Sequence, residues 1–217
     1  MKSDLTQFKE NQRAMPRHGH ITNRQNVKSE VAVAADGHER RKDFLGEAEV
    51  AALLEAARKT RHGIRDHLLI LMMYRHGLRV SEAIALRRED VNLKEARIWI
   101  SRLKNGLSVE QPIAGDELRA VKRWLAARHD HLPWLFVSER AQPFTRQAVN
   151  YIIATTAERA GLAKVHPHML RHSCGFSLAN RGYDLRLIQD YLGHRDPKHT
   201  AHYTRVAAKR FDGLWGS

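Results

Sequence analysis

The chain reads as a mainly α-helical protein with one small antiparallel β-sheet near its middle, an α+β fold. Three observations predict this. Long stretches after residue 43 repeat apolar residues at helical spacing. Only one place, RIWISRL followed by LSVEQPI, alternates like paired strands around Lys104-Asn105-Gly106, and Asn-Gly favours the positive φ angles of a tight hairpin turn. With 217 residues, there is room for one good core plus a short tail.

Residues 1–42 show no sustained period and carry nine Lys/Arg against five Asp/Glu, which predicts a flexible basic arm, either a solvated tail or a segment that touches a partner. Residues 43–217 form the expected folded domain. FLGEAEVAALLEAARKT places Val50, Leu53, Leu54 and Ala57 on one helical face. IRDHLLILMMYRHG is a second, more apolar helix stopped by Gly77. GLRVSEAIALRREDVNL reads as a tight turn, a short helix and the start of an extended stretch. GDELRAVKRWLAARHD and TRQAVNYIIATTAERAGL are amphipathic helices joined by the buried connector PWLFVS. A helix opening at HPHMLRHS, a short helix DLRLIQDYLGH and a last helix carrying Tyr203 complete the domain. Trp99, Trp124, Trp134 and Trp215 fall in apolar segments and are expected in the core.

Composition narrows the partner. Lys+Arg number 37 against 24 Asp+Glu, a formal net charge of +13. A polyanion is the natural complement, with nucleic acid ahead of an anionic membrane surface. No apolar run is long enough to span a membrane, and the N-terminus lacks an apolar signal core, so a cytoplasmic protein is expected. The single Cys174 suits a reducing compartment and sits between Leu170 and Leu178 at core spacing. His166, His168 and His172 lie close together, but no HExxH, Cys pair or suitably spaced acid accompanies them, and no metal is expected.

HPHMLRHS is the most informative segment. With Pro167 in the first turn, His168 and Arg171 share a helix face near an N-terminus, where the dipole and free N–H groups add to their positive field. A phosphate fits such a place. Arg79 stands in the turn GLRVSE, where Gly77 permits a reversal that aims it inward. His194 follows in YLGHRD, and Tyr203 in HTAHYTRV.

GLRVSEAIAL, the hairpin lysine, HMLRHS, LGH and the following tyrosine resemble the ordered motifs of the tyrosine recombinase (phage integrase) family. Within that family, HPHMLRHSCGFSLANRG and RLIQDYLGHR most resemble the fimbrial phase-variation invertases. The resemblance implies the tyrosine recombinase catalytic-domain fold over residues 43–217 and a site-specific DNA recombinase that cuts and rejoins DNA. Arg79 and Arg171 would hold the non-bridging oxygens of the scissile phosphate. His168 would help accept the tyrosine proton, and His194 would donate to a phosphate oxygen. Tyr203 would attack phosphorus to leave a 3′-phosphotyrosine, and Lys104 would protonate the departing 5′ oxygen. A cationic pocket would favour the phenolate. The phosphoester energy stays in the covalent intermediate, so neither ATP nor a metal is needed.

Glu82 resembles the family's acidic residue behind the first arginine and is expected to orient it. His172 is expected to be a helix-packing or supporting histidine. The implied substrate is double-stranded DNA with paired inverted-repeat sites, bound by four protomers, with DNA-bending accessory proteins as further partners. The implied biology is inversion of a promoter segment for fimbrial or other surface genes, in the nucleoid. Many family members carry a helical domain before the catalytic one, whereas only residues 1–42 precede it here, as in the fimbrial subgroup. Affinity is therefore expected to rest on phosphate contacts and to fall steeply with salt. Three other readings share these motifs: a DNA-binding regulator that lost the reaction, an integrase or excisionase of a mobile element, and a strand-swivelling topoisomerase.

Overall fold

The computed structural model describes residues 43–204 with their side chains, apart from 103–105, and the backbone of 205 and 206. Along this stretch the chain forms α1 (Glu47–Arg58), α2 (Gly63–Arg75), α3 (Val80–Ala85), β1 (Val91–Asn92), β2 (Arg97–Ile100), β3 (Val109–Pro112), α4 (Gly115–Ala127), α5 (Arg146–Arg159), α6 (Pro167–Asn180), α7 (Leu185–Leu192) and α8 (Lys198–Val206).

α2 is the axis of the core. Every residue from Arg65 to Met73 is buried: the apolar run Leu68–Met73 requires this, and Arg65 is buried with Asp66 as its partner, Nε donating to Oδ1 at 2.9 Å. α1, α4 and α6 pack around it. Val50, Leu53 and Ala57 of α1 are buried as their period predicts, with Leu54 half-buried beside them. A smaller apolar cluster joins Cys174, Phe176 and Ala179 of α6 to Ile188 and Leu192 of α7 and to Tyr203 of α8. The tyrosine singled out by the sequence is thus a core residue of this second cluster.

Local chemistry sets the helix ends. The Thr145 hydroxyl accepts from the Ala148 N–H at 3.1 Å to start α5, and the Asp184 carboxylate accepts from the Leu187 N–H at 2.8 Å to start α7. Pro167 opens α6. α7 ends on Gly193 at φ +67°, a left-handed cap.

The sheet has the order β1-β2-β3, antiparallel throughout. The expected hairpin pairs β2 with β3 from Arg97↔Pro112 to Ile100↔Val109, and its Asn-Gly turn lies partly outside the described residues. Lys104 also lies outside the described residues. Beyond Ile100 and Val109 the backbone donors go elsewhere: the Arg102 N–H donates to the Ser108 hydroxyl at 3.1 Å and the Leu107 N–H to the Gly193 carbonyl at 3.4 Å. Trp99 departs from expectation. In β2, Ile98 and Ile100 point inward, so Trp99 shares the outer face with Arg97 and is 46% exposed. Trp124 and Trp134 are half-buried, with the Trp124 indole N–H donating to the Leu135 carbonyl at 2.8 Å; Trp215 lies outside the described residues.

Gly77 adopts φ +56°, and a Cβ there would stand 2.4 Å from Cδ2 of the buried Leu192. Gly77→Ala is therefore expected to cost about 1–3 kcal/mol, read as a lower urea midpoint with an unchanged slope.

Candidate active site

The site is built outward from one carboxylate. Glu82 is 3% exposed and lies one turn into α3. It folds back so that Oε2 accepts from the Arg79 backbone N–H at 2.9 Å and Oε1 accepts from Arg79 Nη1 at 2.7 Å. Glu82 thereby caps the helix and fixes the arginine that starts it. From the β2–β3 connection, Arg102 Nη1 donates to Glu82 Oε2 at 2.9 Å, while Nη2 donates to the carbonyls of His76 at 2.9 Å and Tyr191 at 2.8 Å. From α6, Arg171 donates to the carbonyls of Gly77 and Leu192, and its Nη1 lies 4.0 Å from Glu82 Oε2.

Three guanidiniums therefore share one carboxylate. Burial works against the Glu82 anion, yet the charge of Arg102, the hydrogen bonds from Arg79 and the charge of Arg171 outweigh it and hold its pKa below the usual range. Burial, with repulsion from Arg102 and Arg79, pulls Arg171 down to about 10, so it stays charged near neutrality. The cluster is left short of negative charge, which a phosphodiester supplies.

Its open side is a cavity of about 370 Å³ lined by Arg79, Val80, Ser81, Arg146, Asn150, His166, Pro167 and His168. Arg79 is the more accessible of the two predicted phosphate arginines, its side chain 28% exposed against 2% for Arg171. His168 stands at this mouth, in the first turn of α6. A larger cavity, between Arg65, Phe144, Tyr151 and Arg159, contains none of the predicted site residues.

His194 follows the Gly193 cap. The Gln189 amide fixes the turn by donating to the carbonyls of His194 at 2.9 Å and Arg195 at 3.1 Å. His194 Nδ1 lies 2.8 Å from the Thr200 hydroxyl. Burial, then Arg171 and Arg79, push its pKa down to about 3, so the ring is neutral. A Thr200 hydroxyl that donates to Nδ1 leaves the ring's remaining proton on Nε2, where it serves as a hydrogen-bond donor.

Tyr203 is 1% exposed. Its ring lies against Gly175, where a Cβ would come within 2.7 Å of the ring, stacks at 6.4 Å on His194 and meets Phe176 edge-on at 5.2 Å. Its hydroxyl lies 3.0 Å from His172 Nδ1. Burial raises its pKa to about 12 despite the opposing charge of Arg171. The expected preference for phenolate is thus reversed in this state, because desolvation of the anion outweighs the cations.

The structure gathers Arg79, Glu82 and Arg171, and separately Tyr203 with His172 and His194. The sequence did not reveal the central position of Arg102. Its one available signal was strand parity, since residue 102 follows the inward-facing Ile98 and Ile100. Among the described residues no group of three His, Cys, Asp or Glu side chains is arranged to hold a metal ion, and no helix is long and apolar enough to cross a membrane.

The neutral histidines carry a pH dependence. Each has an ordinary value of 6.5, lowered by burial to about 4 for His172 and about 3 for His194. Between those values the unfolded chain binds protons that the folded chain does not. Their contribution is complete above about pH 6.5 and is lost as pH falls toward 3. Each histidine is expected to lower stability by on the order of 3 kcal/mol from pH 7 to pH 4, and His194→Asn should remove about half of that slope in denaturant titrations.

Residues 43–210 match the phage integrase family. The chain belongs to that family. It is 46% identical over 181 residues to the type 1 fimbriae regulatory protein FimB of Escherichia coli K12, covering 81% of this chain and 90% of that one. It is 47% identical over 178 residues to FimE of the same strain, covering 79% and 90%. Among solved structures, the XerA recombinase superposes with a TM-score of 0.70 at 28% identity over 79% of this chain. XerH site-specific recombinase bound to its difH substrate before cleavage gives 0.65 at 25% identity over 79%. This chain spans 63% of the XerA chain and 53% of the XerH chain. The fold is therefore that of tyrosine recombinase catalytic domains.

Proposed function

We propose that this site breaks and rejoins double-stranded DNA through a covalent bond to Tyr203, and that the reaction inverts a promoter segment controlling fimbrial or other surface genes. The chain acts as a site-specific recombinase. The observation that carries the reading is three arginines around one buried carboxylate, a site short of an anion, with Tyr203 near enough for the charge of Arg171 to act on its hydroxyl. Likeness to FimB and FimE supports the fimbrial assignment, and XerH, solved on its DNA substrate, supports DNA as the partner.

A phosphodiester entering between Arg79 and His168 replaces water on Arg79 and draws on the field of Arg171. As the oxygens of the pentavalent phosphorus gain charge, these guanidiniums and the His194 Nε2–H stabilise it, worth several kcal/mol in a water-poor site. The Tyr203 O–H passes its proton to a neighbouring histidine, its oxygen forms the bond to phosphorus, and the bond to the 5′ oxygen breaks. Lys104 supplies the proton that makes this oxygen a hydroxyl. No nucleotide or metal enters the balance, because the 5′ hydroxyl later reverses the attack. With Tyr203 1% exposed in the DNA-free chain, binding must also bring its hydroxyl to the phosphate. Four protomers on paired inverted repeats, aided by DNA-bending proteins and by contacts from residues 1–42, complete the reaction in the nucleoid.

The test is a plasmid carrying the promoter-sized segment between short inverted repeats beside the gene, together with a nicked duplex of one repeat that traps the covalent step. Inversion in the presence of EDTA and without nucleotide, with peptide mapping placing the DNA adduct on Tyr203, is the expected result. An adduct on another residue, or none, overturns the reading.

A further inference from the structure

His172 Nδ1 lies 3.0 Å from the Tyr203 hydroxyl, and its Nε2 lies 3.2 Å from Asp43 Oδ2. Carboxylate, imidazole and phenol thus form one chain of contacts. Asp43 reaches this position because the segment before α1 is strapped to α6 at two more points. The Leu45 N–H donates to the Ser173 hydroxyl at 2.7 Å, and the Phe44 ring lies 4.0 Å from that of Phe176, which itself packs on Tyr203. The strap and the nucleophile therefore share one wall of α6.

We propose that His172 accepts the Tyr203 proton during cleavage, and that Asp43 is the positioning residue that holds the His172 tautomer and orientation needed for this. The proposal rests on Tyr203 being the nucleophile and departs from the expectation that His168 takes that proton. Geometry favours His172: His168 is at the cavity mouth and meets the His172 ring edge-on at 4.5 Å, whereas in the DNA-free chain His172 touches the hydroxyl itself, a contact the proposal requires to persist as that hydroxyl is brought to the phosphate.

The tautomer follows from the partners. A carboxylate only accepts, so His172 carries its proton on Nε2 and donates it to Asp43, leaving the Nδ1 lone pair for the phenol O–H. In the step, the Tyr203 O–H bond breaks and its proton moves to Nδ1. The freed electron pair bonds to phosphorus as the 5′ oxygen leaves. The resulting imidazolium is stabilised by the Asp43 charge, and Asp43 takes no proton. On rejoining, Nδ1 returns the proton to the tyrosine oxygen as the 5′ hydroxyl attacks.

Four groups besides the phenol act electrostatically on His172: His168 and Arg171 from its own helix, Asp43 from the strap, and His202 from α8. Burial, then His168, His202 and Arg171, keep the ring neutral, the form that can accept a proton, and Asp43 is the one group of these that raises its basicity. A phosphate that neutralises Arg171 removes one of the charges that weaken this base, which couples proton transfer to substrate binding.

The experiment is single-turnover cleavage of the nicked duplex across pH, with wild type, Asp43→Asn and His172→Gln, alongside gel-shift measurement of DNA binding. A second substrate carries sulfur in place of the 5′ bridging oxygen, so that the leaving group needs no acid and the base step alone is read. Asp43→Asn keeps a hydrogen-bond acceptor but removes the charge. The expected result is a cleavage rate about 10–100-fold lower on both substrates, an acid limb shifted to lower pH, unchanged DNA affinity, and an adduct still on Tyr203. His172→Gln should be slower still and lack that limb. Wild-type rates and an unchanged acid limb in either variant overturn the proposal. An adduct on another residue in the wild type would instead defeat the reading of Tyr203 itself.

Discussion

Tyr203→Phe is expected to abolish strand cleavage, lowering the rate by at least about 10⁴-fold, while the variant folds and still binds DNA. The direction follows from the step itself, because no other group at this position forms the bond to phosphorus. The retained fold follows from the ring's surroundings. Gly175, Phe176 and His194 contact the ring, and all of those contacts survive in phenylalanine. What is lost is one hydrogen bond to His172, worth about 1 kcal/mol. That loss is offset in part, because a buried hydroxyl no longer has to be satisfied. A gel shift at wild-type protein concentration, paired with a denaturing gel that detects no covalent adduct, checks both halves. Residual inversion by this variant would mean that another side chain attacks phosphorus.

The contrast between the ring and its hydroxyl shows what the sequence could and could not convey. Helix positions were legible, because α2 carries the unbroken apolar run Leu68–Met73 and because Gly77 and Gly193 stop their helices at positive φ. The grouping of Arg79, Glu82 and Arg171 was also legible, since Glu82 is one turn from Arg79 and the motif order carries the rest. The state of Tyr203 was not. A tyrosine near arginines suggests a lowered pKa, but burial depends on which residues of other helices cover it, and Gly175 and Phe176 are remote from it in sequence. Trp99 was misplaced because its apolarity outweighed strand parity, although Arg97 two positions earlier marks that face as the outer one. Asp43 stood at the edge of the expected domain, where no local pattern connects a carboxylate to a histidine far along the chain. Arg102 was passed over because buried arginines are rare, and only the fold shows that its guanidinium ties His76, Glu82 and Tyr191 together.

That role of Arg102 makes Glu82 the most consequential buried group in the structure. Glu82→Gln is expected to destabilise the protein by about 3–5 kcal/mol and to reduce cleavage severely. Two explanations of the carboxylate predict different sizes of effect. If Glu82 mattered only as the residue that closes the start of α3, a glutamine would retain the acceptor for the Arg79 N–H, and the cost would stay near 1 kcal/mol or below. If it mattered as the counter-charge, the substitution would leave Arg79, Arg102 and Arg171 facing one another without an anion, with Arg102 and Arg171 almost wholly removed from water. The second account predicts the larger value. It also predicts a partial rescue, because removing one of the surplus charges relieves the repulsion. Arg102→Leu should therefore cost less in the Glu82→Gln background than in the wild type, the more so because Arg102 Nε already lacks a hydrogen-bond partner among the described residues. Urea denaturation of the two single variants and the double variant measures this coupling. A Glu82→Gln cost near 1 kcal/mol with additive behaviour would reduce the carboxylate to a helix cap. A cost of several kcal/mol with favourable coupling would identify charge balance as what holds Arg79 ready at the mouth of the site.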